Sequence, residues 1–408
     1  VIFLDAAATG PVRREAIEAM WPYLTGQFGN PSSHHGLGES AAAALRQARE
    51  RVARVLGVLP GEIIFTSGGT EADNLAVKGI ALARRSADPA RRRVLVSAVE
   101  HPGVLESAAY LARFHGFTVD VIPVDADGLV DPEVFAAMLA PTDPGGQDPA
   151  GHAGGKASDV AVATVMYANN EVGTVQPVSQ LAALARAAGV PFHTDAVQAA
   201  GWLPLDAQDL GVDALSISGH KIGAPKGVGA LYLRTRVAAE PVLHGGGQER
   251  GSRSGTENVA FAVALATALE LAEGQRPEAA DRVAALREAF IADVLHRIPG
   301  ALLTGHRLQR LPSIASFCFP GTSGESVLLE LERRSVICSS GSACAAGSDE
   351  ASPVLTAMGI DTEVAQTAVR CSFTRDVTGE ELAKAADAVV DSVAALSGGL
   401  RVTVPAPR

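Results

Sequence analysis

The sequence predicts an α/β protein in which a mostly parallel seven-stranded sheet forms a large domain over 15–260. A smaller α+β domain is expected from 1–14 and 261–408. Three observations carry this reading. Over 41–259 short apolar runs alternate with amphipathic stretches, the pattern of repeated βαβ units. After a long helical segment starting near Val259 the order changes to helix, strand, helix, strand and helix. The chain has 408 residues, 47% of them hydrophobic, which exceeds what one small core holds.

The strands are short and rich in β-branched residues. In order they are Ile63-Ile64-Phe65, Val94-Leu95-Val96, Val119-Asp120-Val121-Ile122, 160–165, Phe192-His193-Thr194, Leu215-Ser216-Ile217 and Ala230-Leu231-Tyr232-Leu233. Between them 72–83, 104–114 and 181–188 space their apolar residues as helices do. The stretch 141–158 has Pro, Gly and Asp without apolar period, so it reads as a surface insertion dispensable for chemistry. In the second region strands are expected at 314–319 and 368–373, with a helix at 327–334 between them and a helix after them. The tail 397–408 has few large apolar residues and should fray. No internal repeat is visible.

Composition narrows the function. Lys and Arg number 34 against 45 Asp and Glu, a net charge of −11 without a basic block, so direct nucleic-acid binding is not expected. The segment Val1-Ile2-Phe3-Leu4-Asp5 lacks a basic flank before a signal-length apolar run, and no stretch is suited to spanning a membrane, so a cytoplasmic protein is expected. Four cysteines, Cys318, Cys338, Cys344 and Cys371, form no CxxC pair or zinc pattern. Free thiols are expected, and no metal site.

Polar residues at the predicted strand ends suggest a site, because open α/β sheets bind ligands at that edge. Lys221, in Ser218-Gly219-His220-Lys221, places a long amine there, able to carry an aldehyde cofactor covalently. Thr66-Ser67-Gly68-Gly69-Thr70-Glu71 follows a strand and opens a helix, so backbone N–H groups around Gly69 and the Thr70 hydroxyl can hold a phosphate. Ser218 and His220 can add bonds to it. Equally, such a turn starts many ordinary helices. Asp195 ends an apolar strand, where its carboxylate either caps the next helix or pairs with a protonated pyridine nitrogen, as in enzymes using pyridoxal phosphate (PLP). Gln198 can reach a phenolic oxygen of that ring. His101, before Pro102, is placed to stack on a flat ring and move protons, or simply to cap a helix. Asn170 is a turn residue or an amide donor to ring or substrate.

Taken together, these residues resemble the fold-type I PLP-dependent transferases, and within them the cysteine desulfurases of the class V aminotransferase family. The resemblance runs through 5–11, Phe28-Gly29-Asn30-Pro31-Ser32-Ser33, 66–74, Glu100-His101, Asn169-Asn170-Glu171, 195–198, 218–221 and 245–256. It implies pyridoxal 5'-phosphate on Lys221 and a homodimer with shared active sites, in which Thr256 bonds the cofactor phosphate of the neighbouring subunit. Arg370 matches the family's substrate-carboxylate arginine, Asn30 a residue that assists it, and a guanidinium fork suits a carboxylate. Cys338 and Cys371 fall in predicted strands as core thiols.

Cys344 sits among small residues, Ser342-Ala343-Cys344-Ala345-Ala346, in a loop at about 335–350 with almost nothing to pack. The motif resembles the long-loop subgroup, whose loop cysteine becomes a persulfide. The implied reaction converts L-cysteine to L-alanine, with Lys221 and His101 moving protons and Cys344 attacking the substrate sulfur. The implied partner is a sulfur acceptor, either an iron–sulfur scaffold or a tRNA-thiolation enzyme. A selenocysteine lyase and a catalytically silent, partner-binding scaffold stay open as alternatives. Gly10 stands where the family usually has a second Thr, the 141–158 insertion is unusual, and the tail lacks the aromatic-containing extension of some relatives.

Overall fold

The computed structural model describes residues 1–141, 158–341 and 351–397. The core of the expected insertion, Cys344 and the tail beyond Ser397 lie outside the described residues. The strands are β1 (Ile2–Phe3), β2 (Ile63–Thr66), β3 (Arg93–Ser97), β4 (Thr118–Ile122), β5 (Val160–Thr164) and β6 (Phe192–Asp195). They continue with β7 (Ala214–Ser218), β8 (Gly229–Leu233), β9 (Leu302–Leu303), β10 (Ile314–Cys318), β11 (Val336–Ile337) and β12 (Ala368–Ser372).

The main sheet has seven strands in the order β2-β8-β7-β6-β5-β3-β4. Only β8 runs against its neighbours. Its strand residues alternate between two cores, as a period of two requires. Ile63 and Phe65 join one face with the helix Gly36–Val55, while Ile64 joins the other with the helices Ile80–Ala87 and Pro102–His115. The sequence reads 72–83 as one helix. The structure instead passes from Gly69–Asn74 through a π turn at Leu75–Gly79 into Ile80–Ala87.

A second core lies between the sheet β12-β10-β9 and the helices Gly324–Arg333 and Gly379–Ser397. The helix Val259–Arg297 joins the two cores, burying Val259 to Ala272 in the first and Val283 to Val294 in the second. The N-terminal strand β1 pairs with β11, so the first residues of the chain reach the second core before the chain enters the main sheet. Among the described residues no helix is long and apolar enough to cross a membrane.

A buried ion pair fixes the edge of the main sheet. Arg49 donates to both carboxylate oxygens of Glu249, at 2.6 and 2.8 Å, and to the Ile63 carbonyl at 2.6 Å. Glu249 also accepts from the Phe65 N–H. Removing one partner leaves the other charge buried and unpaired. Glu249→Gln should therefore lose about 3 kcal/mol of stability by urea unfolding, with Arg49→Met added in the same chain recovering part of the loss.

Candidate active site

The strands β2, β3, β5, β6 and β7 run the same way, so their C-terminal ends share one edge, and a cavity of about 700 Å³ opens there. Lys221 reaches it from the tight turn Gly219–Lys221 that follows β7. Its Nζ donates to the Ala7 carbonyl and, at 2.8 Å, to that of Ala8. Gln198 shares the Ala7 carbonyl at 3.0 Å, and His220 Nδ1 lies 3.2 Å from the Thr9 hydroxyl. The N-terminal segment thus closes one wall over residues from two strand ends.

Opposite it, Gly69, Thr70 and Ser218 line the cavity. A Cβ on Gly69 would come within 2.7 Å of Val197 Cγ2, so only glycine lets this turn approach the strand ends so closely. The first-turn N–H groups have no acceptor within the helix and point outward from its start. Ser67 is different, because its N–H is taken by Glu71 at 2.7 Å, and Glu71 is held in turn by Arg253 at 2.8 Å. Burial alone would raise the Glu71 carboxyl, but the bonds from Arg253 and Ser67 outweigh it and hold the group down.

His101 takes the helix-capping role that the sequence offered, whereas Asp195 closes a turn with no helix directly after it, and both line the cavity. His101 caps the helix Pro102–His115, accepting the Gly103 N–H on Nδ1 at 3.0 Å, and still lines the cavity. Asp195 accepts from Val197 N–H at 2.8 Å and lines it too. Burial lowers His101, with Asp195 opposing and Lys221 reinforcing the shift, so the imidazole is neutral near neutral pH. Burial raises Asp195.

Beside Asp195 the cavity is lined by Asp73 and Glu100, which fall in the matched stretches 66–74 and Glu100-His101 but were given no role from the sequence. Asp73 is buried, its Oδ1 has no hydrogen-bond partner among the described residues, and burial and the Asp195 charge raise it well above the ordinary range. Glu100 accepts on Oε1 from the Ser97 hydroxyl at 2.7 Å and the Met166 N–H at 2.6 Å, leaving Oε2 without a partner among the described residues. Burial pushes it up to about 8. His193 bonds the hydroxyls of Thr164 and Ser216 at 2.8 and 2.9 Å, and its Nε2 lies 3.7 Å from Asp73. Burial pushes its pKa down to about 3, so it is neutral. The sequence signals for this cluster are the matched stretches 66–74 and Glu100-His101 for Asp73 and Glu100, and a titratable residue inside an apolar strand for His193.

Arg370, on β12, faces the same cavity from the second core. It donates to Asp5 Oδ1 at 2.8 Å, to the Asn170 carbonyl at 2.9 Å and to the Gly341 carbonyl at 3.3 Å, and its Nε has no partner among the described residues. Asn170 also lines the cavity, so its backbone steadies the arginine while its side chain stays at the wall. Two expected residues stand elsewhere. Asn30 is exposed and outside the lining, its Oδ1 accepting from Ser32 N–H at 2.9 Å. Thr256 lines a neighbouring pocket with Arg253 and Glu249. Cys338 follows β11 instead of lying within a strand and is half-buried, whereas Cys371 is buried in β12.

The residues present fit PLP. A raised, buried carboxyl at Asp195, next to an unpartnered Asp73 oxygen, would be relieved by a cationic ring nitrogen, and Lys221 stands in the same cavity as the donors of the Gly69 turn. Fold and site together define a PLP-dependent enzyme of the α/β type. The class-V aminotransferase family model matches residues 2–384. The cysteine desulfurase IscS of Dictyoglomus turgidum is 41% identical over 93% of this chain and 91% of its own. A solved NifS-like protein superposes with a TM-score of 0.85 at 34% identity, covering 97% of this chain and 100% of that one. SspA, solved in complex with cysteine, gives 0.75 at 32% identity, covering 91% and 99%. The chain belongs to the class-V aminotransferase family and, within it, to the cysteine desulfurases.

Glu100 gives a pH test of the carboxyl cluster. Between its ordinary value of 4.5 and about 8 the folded chain holds a proton that the unfolded chain releases. Its contribution is therefore full at low pH and is lost as pH rises through about 8. The melting temperature of the apoprotein should fall between pH 6 and pH 9, and Glu100→Gln should make that fall shallower by a few °C.

Proposed function

We propose that this chain transfers the sulfur of L-cysteine to Cys344 as a persulfide, releasing L-alanine, with the described side chains in specific roles. The observation that carries the assignment is the convergence of Lys221, Asp195 and Arg370 on one cavity from two different cores. Bound PLP supplies the electron sink that weakens the substrate's carbon–sulfur bond.

Lys221 holds the cofactor and, once released, its amine takes the substrate Cα proton. The Ala7 and Ala8 carbonyls hold that amine at the wall. Asp195 holds the ring nitrogen protonated, and the raised Asp73 and Glu100 behind it keep their own protons, so that only one carboxylate faces the ring. Neutral His101, whose Nδ1 accepts the Gly103 N–H and whose proton is therefore on Nε2, gives that proton up and takes it back beside the substrate. Gly69, Thr70, Ser218 and His220 take the phosphate, with Thr256 reaching the phosphate of the second subunit in a homodimer. Arg370 binds the substrate carboxylate through its fork, and Asp5 positions that fork. Cys344, as thiolate, attacks the substrate sulfur. The acquired sulfur then passes to an acceptor protein, an iron–sulfur scaffold or a tRNA-thiolation enzyme.

Mass spectrometry of the holoenzyme after incubation with L-cysteine should find one added sulfur on the peptide containing Cys344. Cys344→Ser should abolish alanine formation through sulfur transfer while the bound cofactor's visible absorbance and cysteine binding persist; loss of the cofactor would contradict the role. Asp5→Asn should raise KM for cysteine roughly tenfold with a smaller change in kcat, because a charge-assisted bond that orients the arginine contributes about 1.5 kcal/mol or more.

A further inference from the structure

Beside Arg370 two thiols face each other. Cys338 Sγ lies 3.7 Å from Cys371 Sγ. The backbone explains why. Ser339 and Arg370 form an antiparallel bridge, exchanging N–H···O bonds at 3.3 and 2.6 Å. In such a ladder the next pair, here Cys338 and Cys371, is the non-hydrogen-bonded one, where opposed Cα atoms stand about 4.5 Å apart. That separation falls within the range a disulfide spans. One residue further, Leu4 enters between the segments, accepting from Ser372 N–H and donating to the Ile337 carbonyl, so the close pairing ends there.

Packing alone does not account for the pair. Cys371 is buried in the second core, whereas Cys338 is only partly buried and packs at the edge of that core. The remaining described thiol, Cys318, is fully buried and raised to about 11 by burial, which makes it inert. A metal is not indicated, since no group of three or more ligating side chains occurs among the described residues.

We propose that Cys338 and Cys371 form a reversible disulfide, a modification site whose closure weakens carboxylate binding at Arg370. The second half rests on the function proposed for Arg370; the crosslink itself does not. The oxidant is a low-molecular-weight disulfide. The Cys338 thiolate attacks one of its sulfurs and expels one thiol, leaving a mixed disulfide on Cys338. Cys371 then attacks the Cys338 sulfur and expels the second thiol. Two protein thiols lose two electrons and two protons, and the oxidant leaves as two thiols. The bond to Cys371 and burial raise the Cys338 thiol, so closure is slow and takes a sustained oxidising poise.

Closure brings the sulfurs from 3.7 Å to about 2.05 Å. The Arg370 N–H is already tight on the Ser339 carbonyl at 2.6 Å, so the neighbouring backbone has little slack. The displacement falls on the Arg370 fork and on its bonds to Asp5 and the Gly341 carbonyl.

The test uses Cys344→Ser holoenzyme, which removes the other reactive thiol, treated with oxidised glutathione. L-alanine is the probe of carboxylate binding because it carries no thiol. Non-reducing peptide mapping should find Cys338 joined to Cys371 with the loss of two hydrogens. The Kd for L-alanine, read from the cofactor's visible spectrum, should rise at least fivefold and return with dithiothreitol, and adding Cys338→Ser should prevent both changes. Failure to find the crosslink in folded enzyme whose Cys338 is alkylated by iodoacetamide would overturn the site. A crosslinked enzyme with unchanged L-alanine affinity would overturn its hold on Arg370. If the untreated enzyme does not bind L-alanine at all, the role given to Arg370 fails while the crosslink stands.

Discussion

The structure around the active site depends on the placement of acids where water does not reach. Asp73, Glu100 and Asp195 lie together at the cavity, and burial raises all three, with the Asp195 charge raising Asp73 and Glu100 further. Several negative charges cannot share a low-dielectric site without protons or a cation nearby. The fold answers with protons on the deeper carboxyls and with cationic or hydrogen-bonding groups at the cavity, and a cationic ring completes the balance. Neutral His193, between Thr164, Ser216 and Asp73, fills the space behind without adding charge. The electron-sink chemistry of a class-V aminotransferase thus has an electrostatic basis in these buried carboxyls.

The second constraint is mechanical. Lys221 and Arg370 belong to different cores, and the chain's first residues tie them together. Ala7 and Ala8 receive the Lys221 amine, while Asp5 holds the Arg370 fork and Leu4 bonds both β12 and the residue that ends β11. A few residues at the start of the chain therefore set the distance between Lys221 and Arg370, the groups proposed to hold the cofactor and to read the substrate carboxylate. The two thiols at Cys338 and Cys371 lie where Leu4 leaves that pairing, the position at which a small covalent change is transmitted to the arginine.

Most of the sheet was legible because its strands are short, β-branched and separated by amphipathic helices. Ile63-Ile64-Phe65 and Leu215-Ser216-Ile217 fall in β2 and β7 as read. The π turn at Leu75–Gly79 was not legible, since apolar spacing does not distinguish a widened turn from a continuous helix. At the site, the strand-end residues Lys221, Asp195 and His101 could be found because their types suit one chemistry at one sheet edge. Asp73 and His193 could not, because a titratable side chain at the start of a helix or within a strand looks the same in sequence whether it is buried in a network or turned to solvent. Asn30 was placed by its motif, yet its own turn holds its side chain away from the cavity.

The order of residues by itself determined the strand-and-helix alternation, the family, and the candidate cofactor lysine and nucleophile, because local periodicity, residue type and motif carry that information. Only the tertiary structure decided which side chains share an environment. That His101 and Asp195 both cap their turns and face the cavity, that Asp5 holds Arg370 across 365 positions of sequence, and that two cysteines stand 3.7 Å apart are consequences of long-range pairing. The physical reason is that burial and charge are properties of assembled neighbours, and those neighbours are set by which strands lie side by side.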